Sequence, residues 1–189
     1  MDGTKRRGRP RGFCEDAALD AAAGLFAERG FDAVTINELT RAMGVSPPSF
    51  YAAFGSKPAL YERVLDRAAA DPFLRDALEG QATLRAGLRA LLGAAATRYA
   101  AGTGCLVAEG TRCADEAARD IAAARLAASG ALIGRFAERV GARTPDTVAA
   151  LAVTALHGLS AAARAGQGAS TLERFAELSA DAIAAEGED

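Results

Sequence analysis

Apolar residues recur along this chain at intervals of three and four, and alternation with a period of two is nearly absent. The pattern predicts helices joined by short turns that carry glycine. Ala18, Leu19, Ala22, Leu25 and Phe26 form one stripe between Glu15 and Arg29, with Glu15 and Asp16 in the first turn and Gly30 as the stop. Thr35-Ile36-Asn37-Glu38 has the form of a capping box, in which threonine and glutamate each satisfy an end amide. It opens a second, short helix with Ile36, Leu39 and Met43 on one side and Gly44 at its end. Ser46-Pro47-Pro48 then begins a third helix, since serine caps and early prolines lose only amides that a helix start leaves unpaired. Phe50 and Phe54, one turn apart, mark its inner face. Helix, glycine turn and helix is the spacing of a helix-turn-helix, although any helical hairpin shares it.

Gly55-Ser56-Lys57-Pro58 repeats the turn, capping serine and early proline. The helix beyond carries Leu60, Val64 and Leu65 and is expected to run towards Leu78 through Pro72. Further helices are expected from about Thr83 to Ala101, from Cys105 to about Arg112, and from about Asp115 to Val140 with Leu126, Ile133 and Phe136 inward. Thr144-Pro145-Asp146 opens a helix with a wide face of small and apolar residues, and the last helix carries Leu172, Phe175, Ala176, Ser179 and Ile183. Two such helices at a chain end pack on the body, and they either close a monomeric bundle or also pair with a second copy. The residues expected at a dimer interface are Leu151, Ala155, Leu156, Leu159, Leu172 and Phe175.

Composition agrees with an all-α, core-forming chain: 189 residues, 50% hydrophobic and 24% charged, rich in alanine. The formal net charge of −2 hides an asymmetry, because Lys5, Arg6, Arg7, Arg9 and Arg11 stand against Asp2 in residues 1–11 and the remainder is acidic. A basic arm on an acidic body suits one end meeting an anionic polymer, or else a solvated terminus. Charged residues interrupt every candidate apolar stretch, so no bilayer-spanning run and no membrane partner are expected. The basic N-terminus has no apolar segment behind it, and three cysteines make no disulfide framework, so a cytoplasmic protein is expected. A small helical enzyme is disfavoured by a single histidine and by the want of a carboxylate constellation, phosphate loop or metal signature; no cofactor and no metal are expected.

Residues 9–70 resemble the DNA-binding domain of the TetR family of regulators. The likeness rests on Leu25-Phe26-Ala27-Glu28-Arg29-Gly30-Phe31, Thr35-Ile36-Asn37-Glu38-Leu39, Ala42-Met43-Gly44-Val45-Ser46 and Ser49-Phe50-Tyr51-Ala52-Ala53-Phe54-Gly55-Ser56-Lys57-Pro58-Ala59-Leu60-Tyr61. Gly8-Arg9-Pro10-Arg11 resembles the family's basic lead-in to the first helix. Gly104-Cys105-Leu106, Leu156-His157-Gly158-Leu159 and Arg164-Ala165-Gly166 resemble segments of one branch. Cys14 departs from the pattern, standing where relatives place a polar cap.

The resemblance implies a basic flexible arm over 1–11, a helix-turn-helix DNA-binding domain over 12–57, and a larger helical effector-binding and dimerisation domain over 58–189. It implies a homodimeric transcriptional regulator, a repressor released from a palindromic double-stranded operator when a small effector binds the C-terminal domain. Base readers are expected near the start of the third helix at Ser46, Pro47 and Ser49, with Asn37 suited to adenine. Thr35, Tyr51 and Lys57 are expected at phosphates by analogy with the family, and Arg9 and Arg11 belong with the arm. An effector cavity is implied among the helices between about Leu60 and Val140, with Tyr99, Cys105, Glu109, Arg125 and His157 as candidates. Cys105 at a helix start suits redox sensing, and Cys105, Cys113 and His157 could form a soft metal site only if tertiary contact unites them. A redox- or metal-responsive regulator of the same fold therefore stands as the alternative. A helical protein-binding adaptor is a third reading, which leaves the basic arm unexplained.

Overall fold

A computed structural model describes residues 14–70, 72–100 and 104–188. The basic arm, with Arg9 and Arg11, lies outside the described residues. The described residues form helices α1 (Glu15–Arg29), α2 (Ile36–Met43), α3 (Pro47–Phe54), α4 (Lys57–Ala70), α5 (Phe73–Leu78), α6 (Leu84–Tyr99), α7 (Leu106–Gly110), α8 (Glu116–Arg139), α9 (Pro145–Arg164) and α10 (Ala169–Glu188).

The first three helices begin and end as the sequence predicts. Cys14 stands at the cap of α1 without a side-chain hydrogen bond to the helix. The expected single helix from Lys57 towards Leu78 is instead two, with α4 ending at Ala70 and Pro72 at the cap position of α5. Proline has no amide hydrogen to continue the ladder and restricts the residue before it, so the chain restarts there. Helix α7 is shorter than expected: Cys105 has extended backbone and Thr111 already closes the helix.

Two apolar cores share α8. The first gathers Phe26 of α1, Phe31, Leu39 of α2, Phe50 and Phe54 of α3, and Leu60, Tyr61, Val64 and Leu65 of α4, then takes in Cys113, Ala118 and Ala122. Its centre is aromatic: the Tyr61 ring lies 5.1 Å from Phe26, edge-on, and 4.9 Å from Phe31. The buried Tyr61 hydroxyl donates to the Leu106 carbonyl at 2.8 Å, which satisfies it and fastens α4 to α7. The second core joins Leu88, Leu91 and Leu92 of α6 to Ile133 and Phe136 of α8, Leu159 of α9 and Leu172 and Ile183 of α10. Packing therefore places the α4 residues just beyond position 57 with the first three helices.

Helix α9 departs from one expectation. It is long and apolar enough, by length and composition, to cross a membrane; Asp146 and Arg164 lie near its two ends and do not interrupt it. Val148, Ala152, Leu156 and Leu159 turn that apolar face into the second core.

Candidate functional site

The α2–α3 unit is shaped by caps. Thr35 Oγ1 accepts from the Glu38 amide at 3.3 Å, while the Glu38 carboxylate accepts from the Thr35 amide at 2.8 Å and from its hydroxyl at 2.7 Å. Arg29 also pairs with Glu38. Those donors, Arg29 first, hold the Glu38 carboxyl down at about 2. Gly44 closes α2 with φ 67° and ψ 31°, a left-handed conformation that a side chain disfavours, and it turns the chain into α3. Ser46 caps α3 by accepting from the Ser49 amide at 3.3 Å, and the two hydroxyls lie 2.8 Å apart.

Phe50 and Phe54 face inward, as predicted, which leaves Ser46, Pro47, Ser49, Tyr51, Ala52 and Ala53 exposed along α3. Tyr51 is 53% exposed and stands edge-on to Phe50. Asn37 is exposed on α2. Arg41, one turn further on and also exposed, was missed by the sequence reading; its i+4 spacing from Asn37 was the available signal. Thr35 and Lys57 differ from Tyr51, because their polar groups are engaged within the chain. Lys57 Nζ lies 4.1 Å from the centroid of the Phe31 ring. Burial lowers its proton affinity, and Asp32 and Asp115 partly restore it. It braces α4 against the α1–α2 turn.

Four of the five effector candidates meet between α6, α7 and α9. Tyr99 is buried and shares a hydrogen bond with the Cys105 thiol; burial raises its hydroxyl pKa. The Cys105 amide donates to Ser160 Oγ at 2.8 Å. Glu109 lies 2.7 Å from Arg112 and 3.8 Å from Arg164. His157 feels both Arg112 and Glu109, and burial, reinforced by Arg112, pushes its imidazole below its ordinary pKa. Its Nε2 is buried without a hydrogen-bond partner among the described residues. Arg125 serves elsewhere, pairing with Glu62 and Asp66 to tie α8 to α4. Cys113 lies in the first core, its thiol pKa raised chiefly by burial, and no trio of His, Cys, Asp or Glu among the described residues could hold a metal ion. A separate cleft of about 290 Å³ is lined by Arg75, Leu78, Leu132, Arg135, Phe136 and Arg139, and none of the five candidates reaches it.

The expected dimer residues divide in two. Leu151 and Phe175 are 40% and 43% exposed, joined by Leu178 at 52%, which the sequence reading missed. Ala155 and Leu156 are buried at its margin. Leu159 and Leu172 are a correction: at 0% and 1% exposure they belong to the chain's own core, and a second copy cannot touch them.

The family model described as "Bacterial regulatory proteins, tetR family" matches residues 18–64. The HTH-type transcriptional repressor BdcR of Escherichia coli (strain K12) is 38% identical over 182 residues, covering 93% of this chain and 92% of its own length. This chain belongs to the TetR family. A solved structure of the TetR family regulator CifR, a cysteine mutant in complex with a 26 bp double-strand operator DNA, superposes with a TM-score of 0.84 at 32% identity, over 92% of this chain and 99% of that one. SCO4454, a TetR-family regulator from Streptomyces coelicolor, has the same fold at 15% identity, with a TM-score of 0.79 over 93% and 96% of the two chains. As a TetR-family protein the chain is a DNA-binding transcriptional regulator, with α2 and α3 as its helix-turn-helix.

Proposed function

We propose that this TetR-family protein is a homodimeric repressor that grips a palindromic operator through α2 and α3 of both copies, and releases it when a small effector acts at the α6–α7–α9 cluster. The carrying observation is the exposed start of α3, held by the Gly44 turn and the Ser46 cap with its phenylalanines turned away. A recognition helix reads bases through that end. Ser49, Pro47 and Asn37 are its base readers, and Tyr51 and Arg41 its phosphate contacts. Exposed Leu151, Phe175 and Leu178 supply the face for the second copy. Such a pairing sets two heads on one duplex.

Selection of bound sites from a random DNA pool tests the reading. It is expected to return an inverted repeat with half-sites spaced for two heads; a bare preference for any duplex contradicts it. A redox-responsive variant is favoured by the half-buried Cys105 thiol beside Tyr99 at the start of α7. In that case Cys105→Ser binds the operator but no longer lets go in the presence of an oxidant. Retained release in that variant returns the effector to a non-covalent ligand.

A further inference from the structure

We propose that Arg164 is the strut through which α7 and the end of α9 set the position of the DNA-reading head. Arg164 is the last residue of α9, the helix that carries Leu151 of the dimer face. Its Nη1 donates to the Ala27 carbonyl of α1 at 2.8 Å, across 137 positions of sequence. That carbonyl lies in the last turn of α1, where helix carbonyls lack partners within the helix and the dipole favours a cation. The same guanidinium has its Nε 3.8 Å from Glu109 of α7, and the side chains of this pair are 27% and 19% exposed. One side chain thus touches the head, α7 and its own helix α9.

The backbone of α7's approach is fitted around it. Gly104 has φ 61°, and a Cβ there would come within 3.0 Å of Arg164 Cγ and Cδ and 2.8 Å of Ser160 Oγ. The next residue, Cys105, donates its amide to that same Ser160 oxygen. A displacement at the Cys105 end of α7 therefore acts on the Arg164 stem, and the Arg164 head group holds α1. A second tie runs nearby, from the Ala114 amide after α7 to Asp32 at 2.8 Å in the α1–α2 turn. That tie is backbone to carboxylate and does not involve α9, so only Arg164 among these bonds relates the head to the dimer helix. Coupling of two sites through an element with two arrangements is worth roughly 5- to 150-fold in affinity.

The inference rests on the repressor reading above, and its experiment separates the two. The operator is first selected with wild-type protein, and variants of it are made with one base pair added to or removed from the centre. Wild type is expected to discriminate sharply among spacings. Arg164→Gln is expected to bind the selected operator on the order of tenfold more weakly and to lose that discrimination. Its melting temperature and sedimentation as a dimer stay as in wild type, and Arg164→Lys restores part of the preference. Gly104→Ala, which disturbs the strut from the other side, reproduces the loss and decides the matter should Arg164→Gln fail to fold. Amide exchange over residues 26–34, read without DNA, rises in the strut variants. A wild type that selects no operator defeats the repressor reading alone, and exchange still judges the strut. Spacing discrimination kept at the wild-type level in both variants, a loss equal at every spacing in both, or unchanged exchange in both overturns the proposal.

Discussion

The reading edge of α3 is built from short side chains. Pro47, Ser49, Ala52 and Ala53 stand where longer polar residues would reach a base edge, and Ser49 already shares its hydroxyl with Ser46. On the proposed function direct readout is therefore thin, and Asn37 on α2 is the residue proposed to carry more of it. Asn37→Ala is expected to flatten preference at one operator position per half-site, by about 1–3 kcal/mol for a good bidentate contact. Competition among single-base operator variants measures this. Tyr51→Phe is expected to weaken all sequences alike, because phosphates carry no base information. At the other end of the chain's chemistry, His157 is half-buried and its pKa is lowered, first by burial and then by Arg112, with Glu109 opposing. A histidine whose folded value is depressed leaves the unfolded chain binding more protons, so its contribution is full above about 6.5 and is lost as pH falls through the lower folded value. His157→Gln is expected to flatten the fall in melting temperature on acidification below pH of about 6.5. An unchanged acid slope would assign that fall to other groups.

Among the elements, α2 depends most visibly on local chemistry. Thr35→Ala removes the capping hydroxyl at both of its bonds and is expected to cost about 1 kcal/mol of stability, measured by denaturant unfolding. The Glu38 carboxyl, held at about 2 by Arg29 and Thr35, is depressed from its unfolded value. Its support for the cap is present above about 4.5 and disappears as pH falls through 2. The same features made this region legible in sequence. Capping residues, glycine stops and the Phe50–Phe54 spacing act between near neighbours, so they fix α1, α2 and α3 without knowledge of the rest. Pro72 shows where local reading fails: a proline early in one helix is indistinguishable by pattern from one that divides two. Leu159 and Leu172 show the other failure. Both lie on apolar stripes, and a stripe does not say whether its partner is the same chain or a second copy. Cys105, Glu109 and His157 come together only through tertiary contacts of the Cys105–Glu109 segment with Ser160 and Arg164 of α9, to which no spacing along the chain pointed. Lys57 likewise folds over Phe31 because of a tertiary contact.

At the scale of the whole molecule, the two cores meet along α8, and polar ties fasten the first three helices and α4 to the rest of the chain: Tyr61 to Leu106, Asp32 to Ala114 and, from α9 of the second core, Arg164 to Ala27. Of these ties, Arg164 refers the head to α9, the helix that carries Leu151. In the proposed homodimer, two tethered heads gain from effective concentration, by roughly 10²- to 10⁴-fold over one. Equilibrium titration of the selected palindrome and of a single half-site, with wild type and with the double variant Leu151→Asp/Leu178→Asp, tests this account most directly. Wild type is expected to prefer the palindrome by about 100-fold or more, and the double variant, monomeric by sedimentation, to bind both DNAs equally and weakly. A wild type that binds the half-site as tightly as the palindrome, or a monomeric variant that keeps the preference, would contradict it.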